Sequence, residues 1–172
     1  MGGIGDERWN LGRFVQRIGP IPLFFGTYSH TLDEAGRLTI PSKLRDAVTA
    51  ASGSAPGKPP LIFLTCGAEK CIIAYTQRKI AEILVEIGEK AVNPNEVREF
   101  KRMFGGEGAM ESWDKQGRII LPDALKAYAG IMKDVMIVGA IDCFEIWNAK
   151  DYQAHRDAAR SIYDLIAGKV IS

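Results

Sequence analysis

The chain has 172 residues, of which 47% are hydrophobic and 25% are charged, a composition close to the globular average that excludes a disordered chain. Lys and Arg number 22 and Asp and Glu number 21, so the formal net charge of +1 argues against a strongly basic protein that binds nucleic acid by bulk charge alone, and it leaves a local basic patch open. No apolar run approaches the roughly 18 residues of a membrane span, and we expect no membrane partner.

The N-terminal residues lack the continuous apolar core of a secretory signal, because their apolar side chains are scattered singly. We expect an N-terminal extension over residues 1–23. It forms either a frayed tail or an amphipathic arm, and the arm would be built on Trp9, Phe14, Val15 and Ile18.

An internal repeat dominates the rest of the sequence. The segment Asp33–Arg45 returns 81 residues later as Asp114–Lys126, with five of thirteen positions identical and three more conservatively replaced. Further on, Cys71–Tyr75 parallels Cys143–Trp147 at an offset of 72. The Gly/Pro-rich segment Ser52–Pro60 absorbs the difference of nine, since loops tolerate insertions. We interpret the pattern as a duplicated unit rather than chance similarity.

Both copies predict the same local structure, in which two strands flank a tight D-x-x-G-R turn and a short helix and two more strands follow. The Asp of the turn bonds its own backbone two residues on, and the Gly permits a positive φ. A proline after the second strand begins the short helix. The predicted strands are Phe24–Leu32, Leu38–Ile40, Leu61–Thr65 and Ile72–Tyr75 in the first copy and Met110–Trp113, Ile119–Leu121, Val135–Val138 and Phe144–Trp147 in the second.

Three further helices are predicted around the second copy. Apolar residues at i, i+3, i+4 and i+7 from Ile80 indicate a one-faced helix. A second helix begins after Asn93, which is followed by a proline and precedes Glu96 by three residues, and a third begins after Asn148. Their apolar stripes belong either to the core or to a contact between subunits.

These elements predict an α+β protein, mainly β, made of two tandem units. Each unit has about fifty residues and hides its apolar faces poorly alone, so we expect the copies to pair around a pseudo-twofold axis and complete each other's barrel. The predicted organisation is an extension over 1–23, a first unit over 26–79, a helical connection over 80–108, a second unit over 109–152 and a C-terminal helix or tail over 153–172.

The repeated turn carries the candidate functional residues. Arg37 and Arg118 occupy the same place in the two turns, and a guanidinium offers five donors in a planar fork that suits phosphates and guanine edges. A β-ribbon can enter the major groove of DNA, and Lys43 and Arg45 would add phosphate contacts. The alternative is structural: each arginine pairs with the Asp of its own turn or faces solvent, and the two helix residues lie on a solvated face.

No residue cluster predicts catalysis or metal binding. Cys66 and Cys71 have four residues between them, not the two of a zinc knuckle or redox pair, and all three cysteines lie in apolar runs typical of buried thiols. An intracellular compartment follows from this cysteine usage. We find no nucleophile motif, phosphate loop or His-rich cluster, and we expect no enzyme activity, no metal, no cofactor and no small-molecule substrate.

The same residues resemble a known family. The segment Phe25–Asp33, both D-x-x-G-R turns with Pro41–Arg45 after the first, Lys133–Gly139 and Phe144–Trp147 are similar to the MraZ family of bacterial regulators, usually encoded at the head of the division and cell-wall gene cluster. The resemblance runs from about Phe25 to Tyr152. Residues 1–20 and the glycine-rich passage Met103–Ala109 depart from the family pattern.

The resemblance implies two tandem domains of the AbrB/SpoVT swapped-hairpin type that form a double-split β-barrel, assembled into a ring-shaped homo-oligomer. It also implies that the partner is double-stranded DNA, at direct repeats in the promoter of its own operon, and that the protein is a cytoplasmic, nucleoid-associated repressor. Within the motif, Arg37 matches the family's DNA-contacting arginine and Arg118 matches its second copy. Asp33, Gly36, Asp114 and Gly117 are the structural residues of the two turns.

Two other classes of protein remain as alternatives to a DNA-binding regulator. AbrB-like folds also occur in antitoxins, and the tail Asn148–Ser172, with its mixed charges, would then hold a protein partner. The second alternative is a purely structural ring protein, which would assemble but show no sequence preference for DNA.

Overall fold

The computed structural model describes residues 22–52, 57–90 and 93–171, so the predicted N-terminal arm residues lie outside the described residues. The described chain forms eight strands and five helices. The strands are β1 Thr27–Thr31, β2 Arg37–Thr39, β3 Ile62–Cys66, β4 Ile72–Thr76, β5 Ala109–Glu111, β6 Arg118–Ile120, β7 Asp134–Gly139 and β8 Phe144–Asn148. The helices are α1 Ser42–Ser52, α2 Gln77–Lys90, α3 Pro94–Gly106, α4 Asp123–Tyr128 and α5 Ala149–Val170.

The strands form one six-stranded antiparallel sheet and one two-stranded ribbon. The sheet runs β1-β7-β8-β4-β3-β5, and the ribbon pairs β2 with β6. In the repeat, β1 corresponds to β5, β2 to β6, β3 to β7 and β4 to β8. If each strand is replaced by its counterpart, the same sheet order is obtained in reverse, and the ribbon still pairs β2 with β6. This symmetry of pairing is the pseudo-twofold relation predicted from the repeat.

Each unit lends its first strand to the other. Strand β1 of the first unit pairs with β7 of the second, with Tyr28 opposite Ile137, and β5 of the second pairs with β3 of the first, with Met110 opposite Phe63. The predicted tandem α+β architecture is confirmed. The mutual completion follows from size, because each unit alone has too few strands to cover its apolar faces.

A single hydrophobic core joins the two units. Leu38 of β2 and Ile119 of β6 are opposite each other in the ribbon and are fully buried. Leu44 of α1 and Leu125 of α4, which are equivalent in the repeat, are buried in the same cluster. The apolar positions of both copies therefore share one interior, and neither unit has a core of its own.

Helices α3 and α5 begin at the predicted caps. The Asn93 side chain accepts a hydrogen bond from the Asn95 amide at 2.9 Å, and Asn148 does the same for Lys150 at 2.9 Å. Such caps satisfy amides that lack partners in the first turn of a helix. Helix α5 thus begins at Ala149, inside the span predicted for the second unit.

The apolar stripes of α2, α3 and α5 stay largely outside the core, since the described residues of these helices include none that is buried. Helix α3 contacts the sheet through Phe104, whose ring centroid lies 5.2 Å from that of Phe63. In the glycine-rich passage, a side chain at Gly108 would collide with the Phe63 ring, so the glycine allows this close packing. The exposed large apolar residues of the three helices are Leu84, Val85, Phe100, Met103, Ile162, Tyr163, Leu165, Ile166 and Val170.

Candidate nucleic-acid interface

The first D-x-x-G-R turn is held by the side chain of its aspartate. Asp33 Oδ1 accepts hydrogen bonds from the amides of Ala35 and Arg37, both at 2.9 Å, and the Asp33 carbonyl accepts one from Gly36 at 2.9 Å. Gly36 has a φ of +73°, which a residue with a side chain adopts only with strain. The sequence therefore folds locally into a tight turn between β1 and β2.

The second turn repeats this geometry. Asp114 Oδ1 accepts from the amides of Gln116 at 2.9 Å and Arg118 at 3.0 Å, and Gly117 has a φ of +78°. The two turns lie at the two ends of the β2–β6 ribbon, because each turn leads directly into one of its strands.

Both arginines are oriented by the aspartate of their own turn, but to different extents. Arg37 donates through Nε alone to Asp33 Oδ2 at 2.7 Å. Arg118 donates to Asp114 Oδ2 through Nε at 2.9 Å and Nη2 at 2.7 Å, and its Nη1 lies 3.8 Å from Asp33 Oδ2 of the other turn. Among the described residues, no hydrogen bond or ion pair is made by the terminal amino groups of Arg37, so their donors can serve a ligand.

Hydrogen bonds within each turn lower the pKa values of both aspartates. Hydrogen bonds from the backbone and side chain of Arg37 lower the pKa of Asp33. The side-chain hydrogen bond from Arg118, with its backbone bond, lowers the pKa of Asp114 from 3.8 to about 2. Both carboxylates are therefore ionised at neutral pH and hold the guanidiniums in place.

The β2–β6 ribbon has one buried and one exposed face. Successive side chains of a strand point to opposite faces, so Leu38 and Ile119 fill the core and their neighbours point outward. Ile120 is 58% exposed on that outer face, which is unusual for isoleucine. The outward side chains of the ribbon are Arg37, Thr39, Arg118 and Ile120.

Each turn is also covered by a cation from the other unit. Arg45 of α1 lies across Gly117, where a Cβ would meet the guanidinium carbon at 2.6 Å, and its Nε donates to the Ile40 carbonyl at 3.0 Å. Lys126 of α4 lies against Gly36, where a Cβ would meet Nζ at 3.0 Å. Sequence reasoning missed Lys126, although the repeat aligns it with Arg45.

The structure brings six of the eight candidate residues together in the two turns, and Arg45 joins the second turn from α1. Lys43 lies exposed on α1, outside both turns. The side-chain exposures of the two turn arginines, 38% for Arg37 and 27% for Arg118, make Arg37 the more accessible donor.

Nothing in the described part of the chain offers a metal site, since no three His, Cys, Asp or Glu residues are grouped there. Burial raises the pKa of the Cys71 and Cys143 thiols to about 12, so both stay protonated and unreactive at neutral pH. No helix of the described residues has the length and apolar character to cross a membrane.

Together, the exchanged strands and the paired turns define a class: a tandem, pseudo-twofold β protein that presents oriented arginines on a two-stranded ribbon. Comparison with known proteins then identifies the family. The model of the family described as "MraZ protein, putative antitoxin-like" matches residues 23–102 and 103–162. The chain belongs to the MraZ family.

Several relatives are similar over nearly their full length, and each is named "Transcriptional regulator MraZ". One from Lactobacillus delbrueckii subsp. bulgaricus is 39% identical over 146 residues, which cover 84% of this chain and 94% of the relative. One from Arthrobacter sp. (strain FB24) is 34% identical, covering 83% and 95% respectively. One from Cutibacterium acnes is 30% identical, covering 82% and 92%.

Proposed function

We propose that this protein is a sequence-specific DNA-binding transcriptional regulator that represses the division and cell-wall gene cluster. The observation that carries the proposal is the outer face of the β2–β6 ribbon, where Arg37 and Arg118 are held by Asp33 and Asp114. The major groove of B-DNA is about 12 Å wide and admits a two-stranded ribbon. The relatives named as transcriptional regulators support the same function.

The aspartates make these arginines suitable for base recognition. An unrestrained arginine side chain on a protein surface loses conformational entropy when it binds a ligand. Arg37 is already oriented through its Nε, and among the described residues no hydrogen bond occupies its two terminal amino groups. Those groups can be divided between an acceptor on the major-groove edge of guanine and a neighbouring phosphate oxygen. Lys43 and Arg45 of α1 supply contacts to the phosphate backbone beside the ribbon.

A single subunit would bind weakly, because the whole chain carries a net charge of only +1. We infer that the protein acts as a ring-shaped homo-oligomer on direct repeats in its promoter and associates with the nucleoid in the cytoplasm. The exposed apolar faces of α2, α3 and α5 support assembly, since contiguous exposed apolar patches mark interaction surfaces. A ring sets several turns on consecutive repeats, and linked weak contacts gain greatly in affinity.

The test is Arg37→Ala on DNA from the region upstream of the gene. We expect the variant to lose the gel shift while its assembly mass, measured by light scattering, stays that of the wild type. Arg102→Ala is the matched control: Arg102 is an exposed arginine of α3 whose Nη1 lies 2.5 Å from Glu99 Oε1, and it lies outside the turns. A wild-type gel shift from Arg37→Ala would refute this role of Arg37.

A second candidate is an antitoxin-like module that binds a protein, because the family description includes "antitoxin-like". The apolar side chains of Ile162, Tyr163 and Ile166 on α5 offer a surface for such a partner. Purification from its own host in DNase-treated lysate distinguishes the two. A stoichiometric second protein that leaves when α5 is truncated favours the module, whereas homo-oligomer alone favours the regulator.

A further inference from the structure

Lys126 links the helix of the second unit to the turn of the first. It belongs to α4, yet its ammonium group lies against Gly36, the residue before Arg37. Its ion-pair partner is Asp123, at 2.8 Å, whose side chain is 96% exposed while that of Lys126 is 22% exposed. The ammonium group is therefore held at the turn, and the carboxylate that neutralises it lies in solvent.

We propose that Lys126 and Arg37 together form a composite site for one backbone phosphate of duplex DNA, assembled across the two units. This inference rests on the proposed DNA-binding function. Arg45 and Arg118 form the pseudo-twofold equivalent at the second turn, since the guanidinium of Arg45 lies across Gly117. Each site thus takes one cation from its own turn and one from the other unit's helix.

The charges of the turns explain why the first needs Lys126. The first turn carries Asp33 and Glu34 beside Arg37, and at the position of Glu34 the second turn has Lys115. Without the helix cation, the first turn would present a net negative charge to DNA. Lys126 offsets that charge once it leaves Asp123, and a phosphate can replace Asp123 readily because exposed ion pairs contribute little stability.

The glycine at the turn is part of this site. Gly36 has a φ of +73°, and a Cβ there would lie 3.0 Å from Lys126 Nζ. The missing side chain lets the ammonium group approach the backbone of the turn and come within reach of the phosphate that Arg37 contacts. A compact ammonium ion also suits a phosphate oxygen, whereas the planar guanidinium suits bidentate contacts.

The experiment measures how binding to a duplex of the upstream region depends on salt. Each lost phosphate contact reduces the slope of log Kobs against log[salt] by about 0.9. We expect Lys126→Gln to reduce the slope by about that amount for every subunit in contact, and to weaken specific and non-specific DNA alike. Lys126→Arg should restore the slope, because it keeps the charge.

Lys101→Gln is the control, since it removes one exposed lysine from α3. Its helix lies outside both turns and contacts β3, where Thr65 Oγ1 donates to the Phe104 carbonyl, and the slope should not change. Asp123→Asn removes the carboxylate that competes with a phosphate for Lys126, at a side chain that is 96% exposed. It should therefore strengthen DNA binding severalfold in the wild type but have no effect in the Lys126→Gln background.

An unchanged slope in Lys126→Gln, or an Asp123→Asn effect that is independent of Lys126, overturns the composite site. If wild-type protein itself fails to bind the duplex, the proposed function fails instead, and the two failures are distinguishable. Circular dichroism and assembly mass are compared for every variant, so that loss of folding is separated from loss of contact.

Discussion

A single added methyl group at Gly117 tests the reciprocal packing of the two units. Gly117→Ala places a Cβ at a φ of +78° and 2.6 Å from the guanidinium carbon of Arg45. Gly36→Ala is its matched control, with a φ of +73° and a Cβ 3.0 Å from the flexible end of Lys126. The backbone strain is the same in both, and only the obstruction differs.

The expected magnitudes follow from this geometry. A left-handed conformation costs a residue with a Cβ about 1–2 kcal/mol, which both variants lose. In Gly117→Ala the Arg45 guanidinium must also move, breaking its 3.0 Å hydrogen bond to the Ile40 carbonyl. A partly exposed charged hydrogen bond contributes about 1 kcal/mol, so the two losses should be about 2–3 and 1–2 kcal/mol. The gain from a less flexible unfolded chain is equal in both and cancels.

Urea unfolding at one fixed protein concentration gives the two free energies of unfolding, because the stability of any protein that assembles depends on its concentration. The difference between the variants should disappear in an Arg45→Ala background, where no guanidinium obstructs the new methyl group. Equal losses in the wild-type background, or a difference that persists without Arg45, would refute the proposed packing of Arg45 on the second turn.

Three other variants test the turn, the shared core and a helix cap. Asp114→Asn should be less stable than the wild type at neutral pH, and in urea melts the gap should close as pH falls from 3.8 toward about 2, since the folded state holds this carboxylate ionised and that advantage is lost on protonation. A gap that persists at the acid limit would contradict this. Leu38→Ala and Ile119→Ala should each cost about 2–5 kcal/mol, and the double variant should show a coupling of about 0.5–3 kcal/mol in a double-mutant cycle. Additive losses would mean that the two units do not share one core. Asn148→Ala should cost about 1 kcal/mol and lower the helical circular dichroism signal, and an unchanged signal would exclude a capping role.

Local structure was predictable here because short-range chemistry determines it. The aspartate and glycine of each turn and the prolines after β2 and β6 are sufficient to place the turns, and the duplication supplied an independent check on the strands and on helices α1 and α4. The caps at Asn93 and Asn148 were predictable for the same reason, because an asparagine directly before a helical pattern is a typical N-cap residue.

The contacts between the units could not be predicted in detail. The sequence indicated that the copies pair, but the pairing of Tyr28 with Ile137 depends on long-range packing of apolar faces. The position of Lys126 against Gly36 depends on it as well, because the contact joins residues far apart in the chain. The difference between the ion pairs of Arg37 and Arg118 could not be predicted either, because it depends on how close the fold brings Arg118 to Asp33 of the other turn.

The fusion of two copies in one chain gives the ribbon a direction. A dimer of identical units reads both halves of a palindrome alike, because operator symmetry mirrors protein symmetry. Here Glu34 stands at one turn and Lys115 at the other, so the two ends of the ribbon carry opposite charges at matching places. If the proposed DNA binding holds, rotating such a molecule by half a turn on DNA would give a different complex, and we expect its sites to lie head to tail in one orientation.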